Sequence, residues 1–112
     1  MTPTIVASVD GDDVGLLTMV THTPYAAEVH LMAVRPEHHR RGIGRRMMGL
    51  AEEHLLASGV EYLQVKTLSA SHPDEGYVLT RAFYGSVGFR PLGEMPALWS
   101  PDQPALLLVK RL

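Results

Sequence analysis

The residues best equipped for chemistry in this chain crowd into one stretch, His38-His39-Arg40-Arg41-Gly42-Ile43-Gly44-Arg45-Arg46. Five of the ten Lys and Arg fall between Arg35 and Arg46, in a chain whose formal net charge is −2. A helix period begins at Ile43, so the arginines surround a helix start. Backbone N–H groups in a first turn have no intrahelical partner, and the macrodipole adds about half a positive charge there. Each cation placed at that end costs on the order of 0.3–1 kcal/mol. Glycines let the backbone take unusual angles and approach a ligand closely. A phosphate or pyrophosphate carried in by a ligand would accept the free N–H groups and reconcile these features. The alternative is a glycine turn with a solvated basic face. The spacing is neither GxGxxG nor GxxxxGK followed by Ser or Thr, so a Rossmann or P-loop nucleotide site has no support.

The elements that must position this loop follow from periodicity. Thr4–Val9 is rich in β-branched residues and runs into Asp10-Gly11-Asp12-Asp13, a hairpin turn signal. Val14–His22 is the return strand, and Ala27–Val34 a third strand that Pro36 stops. Ile43, Met47, Met48, Leu50, Ala51, His54 and Leu55 recur at helical spacing, with Gly59 as the residue just past the helix end. Val60–Leu68 reads as a strand placed parallel to the third by a right-handed crossover. A polar loop from Ser69, a short helix over roughly Leu79–Val87 ending at Gly88, a strand over Phe89–Met95, a Pro-rich loop over Pro96–Pro104 and a final strand over Ala105–Leu112 complete the order. The expected fold class is α/β (α+β), βββ-α-β-α-β-β, a mostly antiparallel mixed sheet with one parallel crossover pair.

Bulk properties narrow the function classes. A chain of 112 residues with 46% hydrophobic and 20% charged residues suits one compact domain over residues 1–112. There is no cysteine, which excludes disulfides and thiolate metal sites. No signal-peptide pattern and no apolar run of the roughly 20 residues that span a bilayer is present, so a cytoplasmic protein without membrane contact is expected. The net charge argues against a general nucleic-acid binder. Six histidines are scattered without helical HxxxH spacing, and His38 and His39 adjoin arginines that repel a cation, so no metal site is expected.

Two motifs resemble one family. Val34 to Met48, VRPEHHRRGIGRRMM, follows the strand Ala27–Val34 and is similar to the acetyl-CoA motif of the GNAT N-acetyltransferases, whose core is Q/R-x-x-G-x-G/A. The match is His39-Arg40-Arg41-Gly42-Ile43-Gly44, with His39 where the family has Gln or Arg. Downstream, Phe83 to Phe89, FYGSVGF, resembles the family's (L/F)-Y-x-x-x-G-F, with Tyr84, Gly88 and Phe89 in place. The resemblance runs from about Ala27 to the C-terminus and lacks the family's opening strand and two helices. Those helices commonly wall the acceptor site, and a homodimer could supply the missing wall.

The resemblance implies a fold and a division of labour. Acetyl-CoA would be the donor, with CoA as product. Its pyrophosphate would lie on the backbone amides of Arg40, Arg41, Gly42, Ile43, Gly44 and Arg45, and its pantetheine along Met32, Ala33 and Val34. Polarisation of the thioester carbonyl near Met32 would need a strand irregularity that frees an inward N–H. Tyr84 would protonate or hydrogen-bond the departing sulfur. Glu28, six residues before Val34, matches the position of the general base in histone acetyltransferases of the family. Alternation puts Glu28, His30, Met32 and Val34 on one face, and a glutamate at a solvated strand start is the plainer reading. His30, or His72, Asp74 and Glu75 in the loop, are other candidates for the base, as is water. Trp99 is a core plug or a wall of the acceptor site. The function implied is direct acetyl transfer to a primary amine of a small molecule or peptide. The alternative is a CoA-binding module or partner subunit without catalysis.

Overall fold

The computed structural model describes residues 4–68, 75–100 and 103–112. Its six strands form a mixed sheet in the order β1-β2-β3-β4-β6-β5, with two α-helices and one parallel pair, as the sequence pattern requires. The chain divides into two compact units, residues 1–63 with Leu112, and residues 64–111.

In the first unit β1 (Thr4–Val9), β2 (Asp12–Thr23) and β3 (Ala26–Val34) make an antiparallel meander. Asp10 and Gly11 join β1 to β2 with φ of 51° and 86°, the doubly positive pair that matches a type I′ turn to the twist of its strands. Helix α1 (Ile43–Ala57) packs on β1, β2 and β3 through Met47, Met48, Ala51 and Leu55, all buried. Burying a Leu or Met side chain contributes about 1.5–3 kcal/mol, so this stripe anchors the helix. Leu50 is half exposed and His54 exposed, so the stripe is narrower than the sequence period suggests. Gly15 allows the approach of α1 to β2: a Cβ there would stand 3.1 Å from Met47 Cε and 3.3 Å from Ala7 Cβ. The helix closes as expected at Gly59, whose φ is 87°. Val60 N–H bonds Leu55 O and Gly59 N–H bonds Leu56 O, both at 3.0 Å, the paired bonds of a Schellman motif.

The second unit holds most of β4 (Tyr62–Leu68), α2 (Glu75–Ser86), β5 (Arg90–Ser100) and β6 (Gln103–Arg111). Here two sequence expectations are corrected. Helix α2 starts at Glu75, four residues before Leu79, because Gly76 costs only about 1 kcal/mol within a helix and does not stop it. The Pro-rich segment is mostly strand, since β5 runs through Pro96 to Ser100. Proline is tolerated there because β5 is the sheet edge, where a missing N–H leaves no neighbour unpaired. The register with β6 slips between Pro91 and Gly93 and again between Met95 and Ser100. Among the described residues no helix is long and apolar enough to cross a membrane.

Candidate functional site

The chain leaves β3 with Arg35 N–H bonded to Val14 O at 2.8 Å, then makes a 3-10 turn over Pro36–His38 with proline at its start. His39 is extended, and its Nε2 donates to Val34 O at 2.8 Å, tying the loop back to the end of β3. This is the work of the residue that departs from the family's Gln or Arg. Arg40 has φ +63° and Gly42 φ +76°. The left-handed region costs a residue with a Cβ about 1–2 kcal/mol, so Arg40 stores strain. Left-handed residues in such a turn aim successive N–H groups into one concavity, an anion-binding nest.

Gly42 is the N-cap of α1, with no side-chain cap and no acidic residue in the first turn. The first intrahelical bond runs from Arg46 N–H to Gly42 O at 3.0 Å, so the amides of Ile43 and Gly44 have no intrahelical acceptor. A Cβ built on Gly42 would meet nothing within 4 Å. The space beside the Gly42 Cα is therefore clear of protein. The side chains of Arg40, Arg41, Arg45 and Arg46 are exposed, and Arg41 Nη1 reaches His38 Nδ1 at 3.5 Å. The backbone presents directed donors, while the arginines supply diffuse positive potential. A neighbouring hollow of about 500 Å³ between the β1–β2 turn and the 3-10 turn has another character. Asp12, Asp13 and Glu37 line it beside Arg35, a charge pattern that repels phosphate.

The strand that would carry pantetheine leads directly into this loop. Met32, Ala33 and Val34 pair with Leu17, Leu16 and Gly15 of β2. Upstream, Leu31 pairs with Thr18 and Val29 with Met19, so His30 has no residue opposite it. This bulge lies two residues before Met32, and a bulge bends and re-aims its strand. It also overturns the expected alternation. Residues opposite one another share a face. Met32 and Val34 therefore lie with Leu17 and Gly15 on the α1 side, while Glu28 lies with Val20, Leu31 and Ala33 on the other.

Glu28 is buried, at 8% exposure, rather than set at a solvated strand start. Its Oε1 stands 2.6 Å from His22 Nε2. The histidine side chain is 45% exposed and the glutamate side chain 11%. Sequence reading passed over His22. The signal was available: a hairpin turning at Pro24-Tyr25 folds residue 22 back toward residue 28. His30 is exposed.

Tyr84 belongs to the second unit, and its setting explains the second motif. Helix α2 ends in a Schellman motif: Phe89 N–H bonds Tyr84 O at 3.0 Å and Gly88 N–H bonds Gly85 O at 3.1 Å. Gly88, with φ +102°, supplies the left-handed residue, and Phe89 packs back on Tyr84 with ring centroids 5.5 Å apart at 72°. Phe83 makes a second edge contact with Tyr84, also at 5.5 Å. Lys110 Nζ donates to Val87 O at 2.6 Å, a cation on the helix's negative end. Thus Tyr, Gly and Phe at these spacings build a stopped helix that fixes a phenol. Burial pushes the Tyr84 hydroxyl above its ordinary pKa of 10.0, so it stays protonated at neutral pH.

His72 and Asp74 lie outside the described residues, as do the side chains of Glu75 and Trp99. Among the described residues no three His, Asp or Glu side chains stand together as a metal site would require.

The first unit thus carries a glycine-capped helix start after a bulged strand, and the second unit carries a buried tyrosine fixed by its own motif. Residues 2–91 match the model of the acetyltransferase (GNAT) domain, and the chain belongs to that family. An uncharacterized protein of Mycobacterium leprae (strain TN) is 33% identical over 96 residues, 85% of this chain. The chain spans about a quarter, 24%, of that relative's length. Among solved structures, a nourseothricin acetyltransferase is 28% identical with a TM-score of 0.83, covering 98% of this chain and 65% of its own. A GNAT family acetyltransferase from Elizabethkingia anophelis with acetyl-CoA bound superposes with a TM-score of 0.84 at 15% identity, over 99% of this chain and 76% of that one. An aminoglycoside 6'-N-acetyltransferase complexed with coenzyme A gives 0.81 at 17%, over 96% and 71%.

Proposed function

We propose that this chain is an acetyl-CoA-dependent N-acetyltransferase that moves the acetyl group directly to a primary amine of a small molecule or peptide. The observation that carries this reading is the start of α1. There glycine replaces a capping side chain, Arg40 is held in a left-handed conformation, and the Ile43 and Gly44 amides have no intrahelical acceptor. A pyrophosphate fits such a cradle because it supplies the acceptors and the negative charge that the loop lacks. Family membership and the CoA-bound relatives support the same ligand.

Acetyl-CoA supplies an activated acetyl group with a thiolate leaving group. The residues here would hold and complement it. His39 to Arg45 bind the phosphates, and Met32, Ala33 and Val34 offer strand backbone to the pantetheine arm. Tyr84, kept neutral by burial, is the proton donor for the leaving sulfur. Glu28 serves removal of the amine's proton, because an ordinary alkylammonium with a pKa near 10.4 cannot attack until deprotonated. No covalent enzyme intermediate is needed. Thiol release from acetyl-CoA in the presence of mixed amines, alongside calorimetry with acetyl-CoA alone, tests the reading. Amine-dependent release is expected; tight binding without release on any amine would leave a CoA-binding module instead.

A further inference from the structure

His22 occupies a bulge on β2. Thr21 pairs with Ala27 and Thr23 with Ala26, so nothing stands opposite it. The bulge brings the ring to the Glu28 carboxylate, a charge-assisted contact at 2.6 Å. The two partners differ in access. Glu28 is enclosed and its Oε1 is committed to the ring, whereas the His22 side chain is nearly half exposed. With Nε2–H donated to the carboxylate, Nδ1 is the ring nitrogen left to accept a proton.

We propose that His22 Nδ1 is the base that takes the proton from the acceptor ammonium, and that Glu28 is a positioning residue that orients the imidazole and stabilises its charged form. This rests on the acetyl-transfer reading above and assigns its proton acceptor. A carboxylate of ordinary pKa about 4.3 is a poor match for an alkylammonium near 10.4, and an imidazole near 6.5 narrows the gap by about two powers of ten. The other ionisable groups in this corner are His30 on β3, Tyr25 in the turn, and Glu61 and Tyr62, whose amides bond Tyr25 O at 2.8 and 3.0 Å.

The step balances as follows. The ammonium gives one proton to Nδ1, and the freed lone pair forms the N–C bond to the acetyl carbon. The C–S bond breaks with its electron pair on sulfur, which takes the Tyr84 proton. The second amine proton, lost as the amide forms, restores the Tyr84 hydroxyl through solvent, and the imidazolium releases its proton to solvent. Ammonium and thioester thus become amide, thiol and one proton.

The test uses the full chain and two probe nucleophiles: spermidine, protonated at pH 7, and methoxyamine, unprotonated there. Calorimetry with acetyl-CoA is run first. His22→Gln is expected to keep the acetyl-CoA Kd within about twofold and to lose roughly 100-fold or more in kcat/KM toward spermidine, but less than about tenfold toward methoxyamine. Glu28→Gln is expected to show the same split between the two probes to a smaller degree, and Glu28→Asp to recover part of the spermidine rate. Equal losses toward both probes, or transfer to neither by a chain that binds acetyl-CoA, would overturn the assignment. If the chain fails to bind acetyl-CoA, the acetyl-transfer reading falls separately. The pair is then read by NMR alone, and His22 ring-nitrogen resonances unmoved by Glu28→Gln overturn it.

Discussion

The two ends of helix that carry the motifs are opposite in kind. The start of α1 is left unfinished: no capping side chain, no acid in the first turn, and first-turn amides without an intrahelical acceptor. The end of α2 is finished twice over, by a Schellman motif and by Lys110 on Val87 O. Both are built around a left-handed glycine, Gly42 in one and Gly88 in the other. At Gly42 no side chain and no acid completes the first-turn donors, the feature on which the proposed cofactor site rests. At Gly88 it consumes acceptors so that Tyr84 is held in one place. Glycine at a helix end therefore says nothing about function until the bookkeeping of the neighbouring N–H and C=O groups is done.

Substitutions at the two ends should separate these roles. Gly42→Val puts a β-branched side chain at φ +76°, beside the first-turn amides in sequence, where glycine leaves the space clear. It is expected to weaken acetyl-CoA binding by roughly 100-fold or more, read by calorimetry, with the second unit's fold intact by near-ultraviolet dichroism. Normal binding would remove the loop from the site. Tyr84→Phe should lower kcat by about 10²-fold with Kd for acetyl-CoA nearly unchanged. An unaltered rate would take Tyr84 out of the chemistry and leave it a core residue. The same variant carries a stability signature. Because burial raises the Tyr84 pKa in the folded state, its neutral form contributes stability that is present below about pH 10 and lost as pH rises through the folded value. Urea melts from pH 9 to 11 should show that decline in the parent and a flatter profile in Tyr84→Phe.

Gly88→Ala is expected to be the mildest. A Cβ there would meet Lys110 Cε at 3.1 Å, the end of a flexible chain that can move, so the main cost is the left-handed backbone. That cost is about 1–2 kcal/mol in denaturant melts, with acetyl-CoA affinity unchanged. A large loss of affinity from this substitution would show that the two ends are not separate devices.

Much of the frame was legible in the residues themselves. The β-branched runs, the Asp10-Gly11 turn, the start of α1 and the stop at Gly59 are local signals and lie where expected, and the α1 stripe is there but without Leu50 and His54. What was not legible depends on pairing between strands. The bulges at His22 and His30 arise from the register of β2 against β3, and one skipped residue moves every later side chain to the other face. That is why the expected row Glu28, His30, Met32 and Val34 failed, and why the burial of Glu28 against His22 was missed. Pro96 misled for a related reason, since its tolerance depends on β5 being an edge strand. The turn into α1 was readable because it is built from consecutive residues, whose glycines signal the turn without a partner strand.

The most direct test of that loop follows backbone amides by ¹H–¹⁵N NMR during titration with acetyl-CoA, with desphospho analogues as control. The largest shifts are expected at Gly42, Ile43 and Gly44, with little change at Gly88 and Phe89 on first binding of the phosphates. Saturable binding that leaves Ile43 and Gly44 unmoved would contradict the account.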